Sequence, residues 1–392
     1  MRAQLFFCGV LLAWCHACTV VSCPSNMVCT EKRDNSTNPG AGTGGLATDP
    51  NQLGDSGEGG ALPVDDGGNG APDLPPGEWR NVTGNLAGKD SACGNLNSLF
   101  MRESTGEVIA GVARHGLWTS TSGSKWKALG TGAGSAEITN GPVAMVFDPE
   151  NTAQYWESGT YGDGAGAYKT VDGGVTFSEL PIDAADSISV DFSDPARKLL
   201  LAGSHEKPRM VFKSTDGGEN WQNVGATLPA DHFCTLVRIL DSKTYLVGCQ
   251  PGIYRTTDAA RHWTQVSELG GSGLPLVASD GSIYWSSGDG QLLRSADAGQ
   301  SWVELLPPNA LVPVTPIELP DQRIAAISRR TLVVSANQGQ TWDYASNYLP
   351  YENPNGLVYS EAQKAFFIWR WDCGQVVLSD AIMRFDFDYQ AR

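Results

Sequence analysis

Residues 214–221 read Ser214-Thr215-Asp216-Gly217-Gly218-Glu219-Asn220-Trp221, and residues 295–302 read Ser295-Ala296-Asp297-Ala298-Gly299-Gln300-Ser301-Trp302. The shared pattern is a hydroxyl residue, an acid two positions on, usually Gly at the fifth position, and an aromatic at the eighth. Four weaker copies exist. Residues 170–177 keep Asp172 and Gly174 but end in Phe177, residues 256–263 keep Asp258 but carry Ala260, and residues 335–342 replace the acid with Asn337. The most worn, residues 119–126, has Thr121 at the acid position. The closing aromatics stand at 126, 177, 221, 263, 302 and 342, a spacing of about 42 residues, which is the range of solenoids, propellers and arrays.

The residue types follow from the needs of a tight hairpin. Ser, Thr and Asp bond their own backbone two residues on, Gly takes positive φ, and the aromatic opens the next strand and packs into the sheet. Ahead of the 256–263 copy lie Cys234-Thr235-Leu236-Val237-Arg238-Ile239-Leu240, Thr244-Tyr245-Leu246-Val247-Gly248 and Gly252-Ile253-Tyr254-Arg255. Each unit therefore reads as three short strands, the turn and a fourth strand. Four-stranded units repeated radially are propeller blades. Six turns mark six blades. Three apolar runs follow the last turn, at residues 356–359, 365–369 and 375–378, and lack a fourth. At the other end Gly77-Glu78-Trp79 looks like the tail of a turn, with no strands before it. The fragments complete each other. The expected fold is all-β, a single seven-bladed β-propeller of four-stranded blades, closed by an N-terminal strand that completes the C-terminal blade and leaves no free edge.

These turns resemble the Asp-box, or BNR, repeats shared by sialidases, xyloglucan-cleaving glycosidases, sortilin-type receptors and photosystem II assembly-factor propellers. The resemblance spans residues 78–392. It implies a structural role for Asp172, Asp216, Asp258, Asp297 and Asn337, and says little about chemistry, since enzymes and non-enzymes carry the repeat.

The ends have a different composition. Arg2 and the apolar stretch 5–14 read as an export signal over residues 1–22, too short to span a bilayer. Val20-Val21-Ser22-Cys23 resembles a bacterial lipobox, which makes Cys23 the expected lipidated residue, ahead of Cys18, and places the chain in the bacterial cell envelope through a membrane lipid anchor. Residues 34–78 hold eight acids and no Lys or Arg, half of the net charge of −16. Rich in Gly, Pro, Asn and Ser, residues 23–77 read as a disordered tether. Residues 65–70 lack the alternating acids of a calcium loop. No basic stripe points to nucleic acid, no cofactor is expected, and the cysteines lack the paired spacing of a zinc site.

Comparison between blades pairs the cysteines. Setting Ile239 opposite Thr244 puts Cys234 opposite Cys249, and Cys93 and Cys373 occupy the equivalent strand positions in blades one and seven, which adjoin in a closed ring. Two disulfides, Cys234–Cys249 and Cys93–Cys373, are expected in an exported chain.

Function is expected on the face opposite the boxes. Its second-to-third-strand turns carry Arg114, His115, Arg329, Arg330, Trp369, Arg370, Trp371 and Asp372, arginines and aromatics of the kind a binding surface uses on a rigid scaffold. The expected ligand is a protein or a glycan, bound without turnover. A glycoside hydrolase is the alternative, with Asp163, Asp231, Asp289 or Asp372 as carboxylates. The Arg-Ile-Pro motif of sialidases is missing; Arg238-Ile239-Leu240 and Arg323-Ile324-Ala325 come nearest.

Overall fold

The structure is a computed structural model that describes Leu62 and residues 74–91, 96–370, 376–377 and 381–391. The signal segment and Cys23 lie outside the described residues, as do Cys93, Trp371, Asp372 and Cys373. The described residues belong to a compact unit spanning residues 59–392. They form seven four-stranded antiparallel sheets arranged as a propeller, with a two-stranded ribbon beside them. Blade one runs Leu96–Arg102, Glu107–Val112, Gly116–Ser120 and Lys127–Ala128, from the innermost to the outer strand. Blade four repeats it with Phe233–Ile239, Tyr245–Gln250, Ile253–Thr256 and Thr264–Ser267. Second strands are buried along almost their whole length, as in Tyr155–Thr160 and Leu200–Ser204, because neighbouring blades cover both faces.

The ring closes as its two unmatched ends require. Arg80–Asn81 is the outer strand of blade seven, with Arg80 opposite Arg384 and Asn81 opposite Met383. The Val82 amide donates to the Ile382 carbonyl at 2.9 Å, the Ile382 amide to Thr83 Oγ1 at 3.0 Å, and Trp79 stacks on Phe385 at 5.1 Å. One element differs from the sequence reading. The third strand of this blade is Ile382–Asp386 instead of 375–378. Its register sets Phe385 opposite Phe366 and places both in one apolar cluster. Val376–Val377 pairs instead with Asp90–Ser91, in the separate ribbon.

The boxes are turn staples. Ser214 Oγ donates to Asp216 at 2.7 Å and accepts the Gly218 amide at 2.9 Å, while Asp216 accepts the amide and the side chain of Asn220. These donors hold the Asp216 carboxyl down at about 2, and Asp172 and Asp297 sit equally low in the same geometry. In Asn337 the side-chain oxygen takes the same place, accepting the Thr341 amide at 2.8 Å. Blade one corrects the reading of 119–126. Ser120, the last residue of its strand, accepts the Gly123 amide at 2.9 Å, and Ser122 stands in for the acid. Its turn is one residue shorter than the others, so Thr119 belongs to the strand.

The innermost strands of blades one to four share a bulge near their start, between Leu96 and Ser98, Pro142 and Ala144, Ala185 and Ser187, and Cys234 and Leu236. The hydroxyl after the bulge ties one blade to the next: Ser98 Oγ donates to the Pro142 carbonyl at 2.9 Å and Ser187 Oγ to the Thr235 carbonyl at 2.6 Å. The bulge also explains the cysteines. Ile239 pairs with Tyr245, one residue off the expected Thr244, and the bulge restores Cys234 opposite Cys249, which are disulfide-bonded.

Candidate binding face

The face opposite the boxes carries the second-to-third-strand turns and the links between blades. Arg329 and Arg330 occupy the blade-six turn between Ile324–Ile327 and Leu332–Ser335, and both are exposed. Arg330 lies 4.5 Å over the ring of Tyr348, and Arg329 Nε donates to the Asn309 carbonyl at 2.6 Å. Arg370 follows the second strand of blade seven, its guanidinium 5.5 Å from the ring of Tyr351. Tyr348 and Tyr351 sit on the link from blade six to blade seven. One segment thus carries two aromatic platforms, each under an arginine from a different blade. The blade-one turn holds Arg114, exposed with φ of 67°, and His115, whose carbonyl accepts the Trp118 indole N–H at 2.9 Å; Lys89 lies 4.1 Å over the Trp118 ring.

The structure removes one residue from the expected face. Trp369 is only 7% exposed. It packs with Leu96 and Val112 of blade one, covers Gly356, and donates its indole N–H to the Asn97 carbonyl at 3.2 Å. It is a wedge between blades seven and one and offers no stacking surface. Tyr348 and Tyr351 were not anticipated. The signal for them was the length of their link, with Pro350 between the two tyrosines and Pro354 after them.

The opposite side of this face carries charges of both signs. Asp163, Asp183, Asp186 and Glu206 gather on blades two and three. Asp186, placed by its bulge, bonds His205 Nδ1 at 2.8 Å, Lys207 pairs with Asp183 at 2.7 Å, and Tyr161 packs edge-on to His205 at 4.7 Å. Burial opposes charging of His205, but the Asp186 and Glu206 carboxylates together outweigh it and the pKa rises. Asp231 is 91% exposed and bonds its neighbour His232 at 3.2 Å, a contact that lowers its pKa.

Deeper in blade two, Glu157 is fully buried on the second strand. Burial pushes its carboxyl up to about 8, with Asn140 alone opposing. Asn140 approaches it, yet neither Glu157 oxygen completes a hydrogen bond, nor does the Asn140 amide.

A description of the photosystem II assembly factor family, "Photosynthesis system II assembly factor YCF48", matches residues 157–276. That stretch runs from Glu157 in blade two to the first strand of blade five. Each blade it crosses is the four-stranded, box-closed unit described above. The chain is an Asp-box repeat β-propeller. Among curated proteins, the "Photosystem II assembly lipoprotein Ycf48" of Synechococcus sp. (strain CC9902) is 25% identical over 133 residues, 30% of this chain and 36% of that protein. The match thus spans about a third of the curated relative. A solved structure described as "YCF48 bound to D1 peptide" aligns with TM-score 0.54 at 16% identity, over 81% of this propeller chain and 98% of that one. The GH74 enzyme of Niastella koreensis aligns with TM-score 0.57 at 16% identity, over 76% and 53%. These likenesses establish the fold. The arginine–tyrosine face of blades six, seven and one lies outside residues 157–276.

Proposed function

We propose that this chain is a non-catalytic, envelope-tethered propeller that holds a segment of a partner protein on its loop face, as an assembly factor does. The observation that carries the reading is the pair of arginines over tyrosines, Arg330 on Tyr348 and Arg370 on Tyr351, with Arg329 beside them. A guanidinium fork recognises a carboxylate with two parallel hydrogen bonds, and a tyrosine ring adds a flat apolar contact at little entropic cost. The curated relative's name, an assembly lipoprotein, and the peptide bound by the solved relative point the same way.

The second reading, a glycoside hydrolase, is favoured only by the likeness to GH74 enzymes. A general acid needs a raised pKa within reach of the sugar. On the loop face Asp231 is shifted the opposite way, and the raised Glu157 is sealed between blades.

Export, acylation at Cys23 and a tether over residues 23–77 belong to the same proposal; the curated relative's description as a lipoprotein supports them. So does a Cys93–Cys373 disulfide across the ring closure. Its support is the register of the ribbon, Ser91 opposite Val376, which brings the flanks of both cysteines together. Titrating the full chain with a D1 peptide, and separately with xyloglucan followed for released sugar, tests the reading. Peptide binding without hydrolysis is expected, and hydrolysis would reverse it.

A further inference from the structure

Among the described arginines that are buried or half-buried, one has no partner. Arg102 pairs with Glu107 at 3.0 Å and donates to the Gly173 carbonyl at 2.9 Å, and Arg197 pairs with Asp148 at 2.8 Å and with Glu150 at 2.7 Å. Arg255 and Arg294 reach the box of the next blade, at Ala298 and Gln338. Arg238 does not. It is half-buried on the innermost strand of blade four, its Nε is shut off from solvent, and among the described residues its guanidinium has no hydrogen-bond or ion-pair partner.

Alternation along the strand fixes what surrounds it. Val237 and Ile239 turn toward blade three, where they share a cluster with Leu201 and Val211. Leu236 and Leu240 turn the other way, into the cluster of Leu246, Ile283 and Trp285 at the seam with blade five, and Arg238 between them faces the same side, opposite Leu246 in the ladder. Its neighbours are therefore leucines. Leu236 and Leu240 are themselves only half-buried, as the innermost strand borders the propeller axis. Burial alone pulls the Arg238 pKa down, and no acid opposes it. A guanidinium held among apolar side chains without an anion is destabilising, and an anion on its fork removes that cost.

The surroundings select the anion. One positive charge balances one negative charge, since Arg255, which also flanks Leu246, is taken by the Ala298 carbonyl. The planar fork matches the two oxygens of a carboxylate and fits a spherical halide less well. The leucines offer an apolar wall to a short alkyl chain. Position excludes the segment held on the loop face: the strand starts at that face with Phe233, and five residues place Arg238 about 17 Å along it toward the box end. A small molecule entering along the axis reaches it. We infer that Arg238 anchors a binding site for a short-chain monocarboxylate at the axial seam of blades four and five, with the carboxylate on the Nε and Nη edge and the alkyl chain against Leu236 and Leu240. The site does not rest on the function proposed above.

Nitrogen–proton NMR of the arginine Nε–H groups in the full chain tests the site directly, with sodium butyrate exchanged for sodium chloride at fixed ionic strength. The Arg238 signal, assigned by its loss in Arg238→Lys, is expected to move and saturate at millimolar butyrate, while the Arg255 signal stays in place. Acetate should need at least twofold more to reach the same point, because it lacks the carbons that meet the leucines. Above the midpoint each tenfold rise in butyrate should raise the wild-type melting temperature by about 2 °C. Arg238→Leu should melt no lower than wild type in chloride and ignore butyrate, and Arg238→Lys, which keeps the charge without the fork, should bind butyrate at least threefold more weakly. An Arg238 signal that does not move up to tens of millimolar butyrate, or that chloride, acetate and butyrate move alike, overturns the inference. So does an equal rise in melting temperature in wild type and Arg238→Leu; should that variant fail to fold, the wild-type titration decides alone.

Discussion

Replacing Glu157 with Gln should stabilise the propeller by an amount that grows with pH. In the folded chain burial raises the Glu157 carboxyl from 4.5 to about 8. The folded state therefore binds a proton that the unfolded state releases, and stability falls as pH rises between those two values. Each pH unit in that window is worth about 1.4 kcal/mol, so at pH 7 the charged unfolded form is favoured by about 3 kcal/mol. The amide that replaces the carboxyl keeps the volume and the contact with Asn140 but does not titrate. Urea unfolding of wild type and Glu157→Gln at pH 5.5, 6.5 and 7.5 gives the difference directly. It should widen in favour of the mutant by about 1.4 kcal/mol per unit and level off above pH 8. A difference that stays flat across this range, or a mutant less stable at pH 7.5, refutes the reasoning and means that the folded chain satisfies the charged carboxylate.

Three further outcomes follow from the frame. Ser295→Ala strands the buried Gly299 amide, which Ser295 Oγ accepts at 2.8 Å, and should cost about 1–3 kcal/mol in urea unfolding with ligand binding at saturation unchanged; lost binding at full stability would make the boxes functional. Removing residues 1–84 takes away the outer strand of blade seven and the stack of Trp79 on Phe385. It should lower the melting temperature far more than removing residues 1–70, and equal melting would contradict closure by this strand. Cys234→Ala with Cys249→Ala opens a loop with sequence separation 15, worth about 3 kcal/mol by chain entropy, and a calorimetric scan that finds no loss would contradict it.

What could be read from the sequence was local chemistry repeated often. Each box sets a hydroxyl, an acid and a Gly at positions a tight turn needs, so Asp172, Asp216, Asp258, Asp297 and Asn337 could be placed before any coordinates. The unmatched ends required closure by the strand after Trp79. Choosing between 375–378 and 382–386 as its partner was beyond the pattern, because both are short apolar runs and only the pairing of Phe385 with Phe366 separates them. Cys234 and Cys249 were paired from a register one residue off at the hairpin, and an unforeseen bulge made up the difference. The site was less legible. An aromatic at a strand end reads the same whether it wedges two blades, as Trp369 does, or faces solvent. Tyr348 and Tyr351 sit in an irregular link, where nothing periodic announces which side chains meet the arginines of neighbouring blades.

The central claim is that arginines on blades six and seven hold an anionic protein segment without turnover. Isothermal titration of a D1 peptide into the full chain, wild type against Arg329→Glu/Arg330→Glu/Arg370→Glu, tests it most directly when repeated at several salt concentrations. The account predicts wild-type binding that weakens as salt rises, and a variant with wild-type melting that binds at least tenfold more weakly with little salt dependence. Equal affinity and equal salt dependence in the two chains would contradict it.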